Sequence, residues 1–263
     1  VTVSMIETTI NERWKLLLPE HRAARPEWPV WEKERLASMH EHLTALVRSV
    51  TDWSQIDPYS KRPVIIDVGA EEGDFPALWA QWGMDVILFE PNPKVWPNIK
   101  AIWDANFLPH PLAMFVGFAS DQTNVSPPND TVHSKGYLAE DGWPNCAHGE
   151  VIGNHGFRHL AEQAGETPQI EIDVFCAERT IHAITMDVEG SELRVLKGAR
   201  RILERDRPLV WVSCHTDYEW NDTRYEGVRS VDVVEWMQGV VYVGEHLIND
   251  HEDHWFFRPS ESL

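Results

Sequence analysis

Residues 65–73 read IIDVGAEEG. An apolar run stops at Asp67 and turns on Gly69 and Gly73, the pattern of a buried strand entering a glycine loop. Residues 86–90, VILFE, form a second such run that ends on Glu90. Between them FPALWAQWG reads as a helix stopped by Gly83. Strand, glycine loop, helix and an acid at the next strand end predict a ligand crevice at the carboxyl edge of a parallel sheet. Glycine lets a ligand approach the backbone closely, and an acid at that strand end can accept ribose hydroxyl protons. Yet Glu71, Glu72 and Asp74 crowd the loop with negative charge, which a pyrophosphate would oppose. A cation bearing a ribose and no phosphate, such as S-adenosylmethionine, suits such a loop better. The competing reading of Glu71 and Glu72 places them at a helix N-terminus, where acids favour the dipole.

The same alternation continues to the end of the chain. After LFEPNP a helical stretch runs to about Asn106, followed by a strand AMFVGFAS at 113–120. Residues 121–165 are rich in Pro, Gly, Asn and His without a period and are expected to be an irregular insertion that shapes acceptor binding. Strands are then expected at QIEIDVF (169–175), AITMDVEG (183–190) and RPLVWVSCH (207–215), with a helix from Ser191 through KGARRIL, where the cations would end it. A helix at about 230–238 and the strands VVYVG and HWFFR complete the pattern. Strands alternating with helices predict a doubly wound, mostly parallel α/β sheet covered on both faces, and the closing pair predicts an antiparallel edge hairpin. Residues 1–60 contain no glycine and read as helical. Leu36, Met39, Leu43, Leu46, Val47 and Val50 recur at three and four, which predicts a helix from about Pro29 to Val50. A shorter helix is expected around Trp14 and Leu16–Leu18. The division expected is therefore an N-terminal helical cap at 1–60 and a sheet domain at 61–263.

Composition narrows the function classes. The 263 residues carry a net charge of −19, which repels nucleic acid and anionic membranes over long range. No apolar stretch reaches the ~18–20 residues of a membrane span. The opening residues lack the basic and apolar blocks of a signal peptide, so a cytoplasmic location is expected. Cys146, Cys176 and Cys214 are widely spaced and predict reduced, buried thiols.

Residues just past each strand are the ones a ligand would meet. They are Asp67-Val68-Gly69, Glu90-Pro91-Asn92, Ala119-Ser120-Asp121, Asp187-Val188-Glu189 and Ser213-Cys214-His215. IIDVGAEEGDF, ILFEPNP, FASD and above all ITMDVEGSELRVLKGARRIL followed by RPLVWVSCH resemble the FkbM family of S-adenosylmethionine-dependent methyltransferases, over roughly residues 63–258. The resemblance implies a Rossmann-like class I methyltransferase fold with a seven-stranded sheet. It also implies methyl transfer to oxygen on a sugar, glycan or natural-product small molecule. Asp67, Gly69, Ala70, Glu71 and Gly73 would surround the methionine part of the cofactor. Glu90 would hold the ribose, with Pro91 and Asn92 on the same rim, and Ala119, Ser120 and Asp121 would meet the adenine. The family commonly has Asn in the place of Glu71 and Lys in the place of Thr185, and ends its last central strand in Glu-x-His where this chain has Ser213 and His215.

An alcohol acceptor must lose a proton. His215, which titrates near neutral pH, is expected to take it, while Asp187 and Glu189 orient acceptor or cofactor. The competing readings are a buried strand-end histidine for His215 and a helix cap for Glu189. No metal ligands are assigned; an ion between Asp187 and His215 stays open as an alternative. Among His148, His155 and His159, the last two are four apart and on a helix could share a metal, but Gly156 weakens that helix and no second pair is fixed by spacing. Of the group that follows His246, residues 251–254 (His251, Glu252, Asp253 and His254) are expected at a solvated hairpin tip. Of the thirteen tryptophans, Trp28, Trp31, Trp53, Trp143 and Trp220 fall by pattern in loops or helix starts, and Trp143 could stack on a sugar face. The alternatives to a methyltransferase are a nicotinamide-dependent oxidoreductase on a similar sheet and a cofactor-binding interaction module without turnover.

Overall fold

The computed structural model describes residues 4–50, 62–92, 94–124, 142–144, 168–215, 229–250 and 252–261. Its centre is the strand β3 (Val64–Val68), buried along its whole length. The chain first builds outward in one direction, through α3 (Asp74–Gln81), β4 (Asp85–Phe89), α4 (Trp96–Ala105) and β5 (Ala113–Phe115). It then returns to the other side of β3 with β8 (Ala183–Asp187), the helices α6 (Glu192–Gly198) and α7 (Arg200–Asp206), β9 (Leu209–Cys214) and α8 (Ser230–Gly239). The hairpin β10 (Tyr242–Asn249) and β11 (Asp253–Pro259) closes that edge.

The resulting seven-stranded sheet has the order β10-β11-β9-β8-β3-β4-β5. All pairings from β9 to β5 are parallel, and β11 runs antiparallel to both its neighbours. This is the doubly wound, mostly parallel Rossmann-like sheet expected, with its antiparallel edge hairpin. Strand order reverses between β3 and β8, so the crevice opens past Val68 and Asp187.

Several elements differ from the sequence reading. Trp14 and Leu16–Leu18 lie not on a helix but in a hairpin, β1 (Met5–Ile10) paired antiparallel with β2 (Trp14–Pro19). Along β2, Trp14, Leu16 and Leu18 are buried while Lys15 is exposed, a period of two that the dense leucine run obscures. Asn11 and Glu12 take positive φ of 49° and 57° at the turn, a conformation for which Glu gives no sequence signal. A short helix α1 (Glu20–Ala23) follows, and the long helix α2 begins at Lys33 rather than Pro29 and ends at Val50. Its buried face carries Leu36, Met39, Leu43 and Val47, as the periodicity predicted.

The stretch 113–120 divides: β5 joins the main sheet, while β6 (Phe118–Ala119) pairs in parallel with β7 (Gln169–Ile170). QIEIDVF accordingly gives only two strand residues before the helical turn α5 (Ile172–Phe175). The cations of KGARR do not end the helix, which breaks at Ala199 and resumes as α7. Trp143 is buried against Trp103 (6.1 Å between ring centroids) and His110 (5.1 Å), so it packs rather than offering a sugar platform. Glu252 and His254 are also buried, not solvated at a tip; His254 Nδ1 meets the Ser213 hydroxyl at 2.9 Å. Cys176 and Cys214 are free and buried, and desolvation pushes the Cys176 thiol up to about 12. Cys146, His148, His155, His159, His251, Trp53, Trp220 and most of 121–165 lie outside the described residues. No described helix is long and apolar enough to cross a membrane.

Candidate active site

A cavity of about 390 Å³ opens at the strand-order reversal. It is lined by Asp67, Gly69, Ala70, Glu71, Glu90, Pro91, Asn92 and Ala119 of the expected cofactor residues, together with Asp187 and Glu189. Gly73, Ser120, Asp121 and His215 do not line it.

The glycine loop is held by its own amides. Gly69 and Ala70 both donate to the Phe89 carbonyl (2.9 and 3.1 Å), Glu71 donates to Glu90 Oε2 (2.9 Å), and Gly73 donates to the Ala70 carbonyl (2.8 Å). A phosphate would need such amides pointing outward. Gly69 has φ +85°, and a Cβ there would sit 1.9 Å from the Asp187 carbonyl oxygen. Its glycine is thus demanded by the close approach of β8, a reason different from ligand approach. A Cβ on Gly73, at φ +89°, would press on Ile99 at 3.0 Å.

The loop carboxylates find cations in the N-terminal segment. Buried Arg22 of α1 donates through Nε to Asp74 Oδ2 (2.6 Å) and through both terminal nitrogens to Glu71 (3.1 and 3.2 Å). Glu72 meets His21 at 2.5 Å and accepts from Asn98 at 3.0 Å. Neither Glu71 nor Glu72 caps α3, whose N-cap is Gly73. Even so, the cavity lining holds nine carboxyl groups (Glu32, Asp67, Glu71, Glu72, Asp74, Glu90, Asp187, Glu189 and Glu252), of which burial keeps some protonated, against two guanidiniums, Arg22 and Arg35. That excess favours a cationic ligand over an anionic one.

Glu90 is buried, and its two oxygens accept from the Asn92 amide (2.7 Å) and the Glu71 amide (2.9 Å). Burial dominates these bonds and pushes its carboxyl up to about 8. Asp67 is likewise raised by burial, to about 7, against the opposing bond that Trp79 Nε1 donates to it at 2.6 Å. Asp121 Oδ1 and the Ser120 hydroxyl are engaged by Arg194, at 3.0 and 3.1 Å.

On the far wall, Asp187 and Glu189 meet His215. The Nδ1 of His215 lies 2.8 Å from Glu192 Oε1, which also accepts from the Gly190 amide at 2.9 Å. Its Nε2 faces Glu252, Glu189 and Asp187 at 3.3, 3.5 and 3.6 Å. Burial opposes charge on the ring, but these carboxylates outweigh it and push the imidazole up to about 12. Among these carboxylates the ring holds its proton at neutral pH instead of standing ready to accept one. The α6 N-cap is Ser191 rather than Glu189, which takes φ +53° and turns its side chain toward His215.

Several site residues were not singled out from sequence. Arg22, Glu32 and Arg35 come from the N-terminal segment, which carries no local motif, and Trp31 beside them reads from sequence only as a loop or helix-start tryptophan. Arg35 is buried, pairs with Glu32 and donates to the Thr185 hydroxyl at 2.7 Å. A cation from α2 therefore stands at the position where the resemblance leads one to expect lysine. Glu192 lies within EGSEL, next to the Ser191 read as a helix start, and has no spacing signal of its own.

Residues 67–244 match the family described as the methyltransferase FkbM domain. The chain belongs to the FkbM methyltransferase family. Among solved structures, the FkbM methyltransferase from Methylobacillus flagellatus KT is similar at 18% identity and a TM-score of 0.46, over 85% of this chain and 51% of that one. The chain thus spans about half the length of that relative. A SAM-dependent methyltransferase from Agrobacterium tumefaciens is similar at 11% identity and TM-score 0.46, over 100% of this chain and 72% of that one. An rRNA methylase from Streptococcus thermophilus is similar at 10% identity and TM-score 0.43, over 86% of this chain and 97% of that one. No curated protein matches the chain. The FkbM motifs fall on the cavity: the loop after β3, Glu90 after β4, and the Asp187–Glu192 block after β8 all bound it or support its wall.

Proposed function

We propose that this FkbM chain binds S-adenosylmethionine in the described cavity and methylates a hydroxyl of a sugar, glycan or natural-product small molecule. One observation carries the cofactor assignment: amides of the glycine loop are spent on Phe89, Glu90 and Ala70, while nine carboxyl groups line the cavity. That donor set suits a sulfonium and an ammonium and opposes the pyrophosphate of a nicotinamide cofactor.

When bound, the cofactor supplies an activated methyl group, so the chain's task is positioning and proton removal. Glu90, oriented by the Asn92 and Glu71 amides, keeps lone pairs for the two ribose hydroxyls. Asp187 and Glu189 are the acids that both line the cavity and stand at the β8 end, and they take the acceptor proton in this proposal. His215, behind them and tied to Glu192, positions those carboxylates; this replaces the role of proton acceptor expected from sequence. The net charge of −19 supports an acceptor other than nucleic acid.

The direct test is ligand-induced stabilisation followed by labelled methyl transfer to an alcohol panel. S-adenosylhomocysteine at ~100 times its Kd is expected to add ~2.7 kcal/mol and raise the melting temperature by several degrees, with NAD giving no shift. Stabilisation by NAD and none by S-adenosylhomocysteine would overturn the proposal.

A further inference from the structure

The cluster around His215 has a geometry that methyl transfer alone does not require. Asp187, Glu189 and His215 each offer a ligand atom, and these atoms lie within 4.8 Å of one another. Glu252 adds an oxygen 3.3 Å from His215 Nε2. The three carboxylate oxygens facing Nε2, at 3.3 to 3.6 Å, stand beyond the ~2.7–2.9 Å of a charge-assisted hydrogen bond. A cation bonded at ~2.1 Å to two adjacent ligands holds them about 3.0–3.4 Å apart, so closure around an ion asks for only a small contraction.

A second observation is the orientation of the imidazole. His215 is 5% exposed, and Glu192, itself fully buried, sits 2.8 Å from its Nδ1. A carboxylate on one ring nitrogen fixes the tautomer and presents the other nitrogen's lone pair to a metal. Here that other nitrogen points at the carboxylates.

Charge supplies a third. Asp187, Glu189, Glu192 and Glu252 all face the His215 imidazole. Glu192 and Glu252 are buried, and buried negative charge is costly unless neutralised. One imidazole with carboxylates is the donor set of Mn²⁺ and similar divalent ions, and the absence of thiolate disfavours soft metals.

We propose that Asp187, Glu189 and His215 bind one divalent cation at the carboxyl ends of β8 and β9, with Glu252 beside it and Glu192 positioning the histidine. The ion faces the cavity through Asp187, Glu189 and Glu252, where an acceptor oxygen could complete its coordination. Only that last role rests on the methyltransferase reading; the binding itself goes beyond it.

The test uses the full chain, stripped with chelator and dialysed, titrated with Mn²⁺ alone and followed by the electron paramagnetic resonance signal of the free ion. One Mn²⁺ per chain is expected to disappear from the free signal, with affinity falling at least tenfold in Asp187→Asn and in Glu189→Gln. Glu189 is half-exposed, so its variant keeps the test valid if Asp187→Asn fails to fold. Absence of binding at 1:1 stoichiometry in the unmodified chain, or equal binding in a folded Glu189→Gln, overturns the site. Cofactor and acceptor are absent throughout, so failure here leaves the S-adenosylhomocysteine result standing, and the reverse also holds.

Discussion

Glu90 shows how one side chain serves both fold and ligand. Its oxygens fasten the Glu71 and Asn92 amides, and burial lifts its pKa from 4.5 to about 8. A carboxyl raised in the folded state keeps its proton where the unfolded chain has lost it. The stabilisation this brings is full below pH ~4.5 and declines until the folded pKa is passed, a change on the order of a few kcal/mol. Stability of the wild type should therefore fall more steeply from pH 5 to 8 than that of Glu90→Gln, measured by urea unfolding at each pH. Parallel curves would contradict the buried carboxyl. Asp67, raised to about 7, contributes equally to both proteins and cancels in the comparison. The position of Glu90 was legible because an acid about twenty residues past the glycine loop has a known geometry. The role of Gly69 was only half legible: a turn signal shows the glycine, but the Asp187 carbonyl that demands it lies 118 residues away in sequence and 1.9 Å away in space from the Cβ that glycine lacks.

At the scale of elements, the short helix α1 acts as a clamp on the loop after β3. Arg22 is 1% exposed and bridges Asp74 and Glu71, while its carbonyl accepts from Trp28 Nε1 at 2.7 Å. The Asp74 pair is buried and matters most; Glu71 is more than half exposed and contributes less. Arg22→Gln leaves Asp74 buried without its cation, and a loss of about 3 kcal/mol in unfolding free energy is expected. Unchanged urea midpoints would show that Asp74 is solvated or neutral without Arg22. This clamp could not be read from EHRAAR, since a four-residue helix has no period and its partners are some fifty residues downstream. Helix α2 was legible because eighteen residues give several turns of apolar repeat. The hairpin before it was misread because WKLLLP offers apolar residues at both periods, and burial alone selects the period of two.

For the whole molecule, one apolar core runs from Ile10 of the hairpin through Leu43 of α2 and β3 to Phe257 of β11. The ring of His42 stands 4.5 Å from Phe256, and Trp211 Nε1 donates to the Ser38 hydroxyl at 3.1 Å, so α2 is fastened to the sheet. With its core shared in this way, the N-terminal segment is expected to unfold together with the sheet. Far-UV circular dichroism and tryptophan fluorescence should report coincident guanidinium transitions, whereas separate midpoints would make residues 1–60 an independent unit. By itself the sequence determined the parallel sheet, its edge hairpin and the acids at its strand ends, because period, turn chemistry and strand-end position are local properties. Only the tertiary structure decided which charges meet: Arg22 with Asp74, Arg35 with Thr185, and His215 with four carboxylates from two separate segments. Electrostatic partnership depends on distance and burial, and neither quantity exists until the chain has folded.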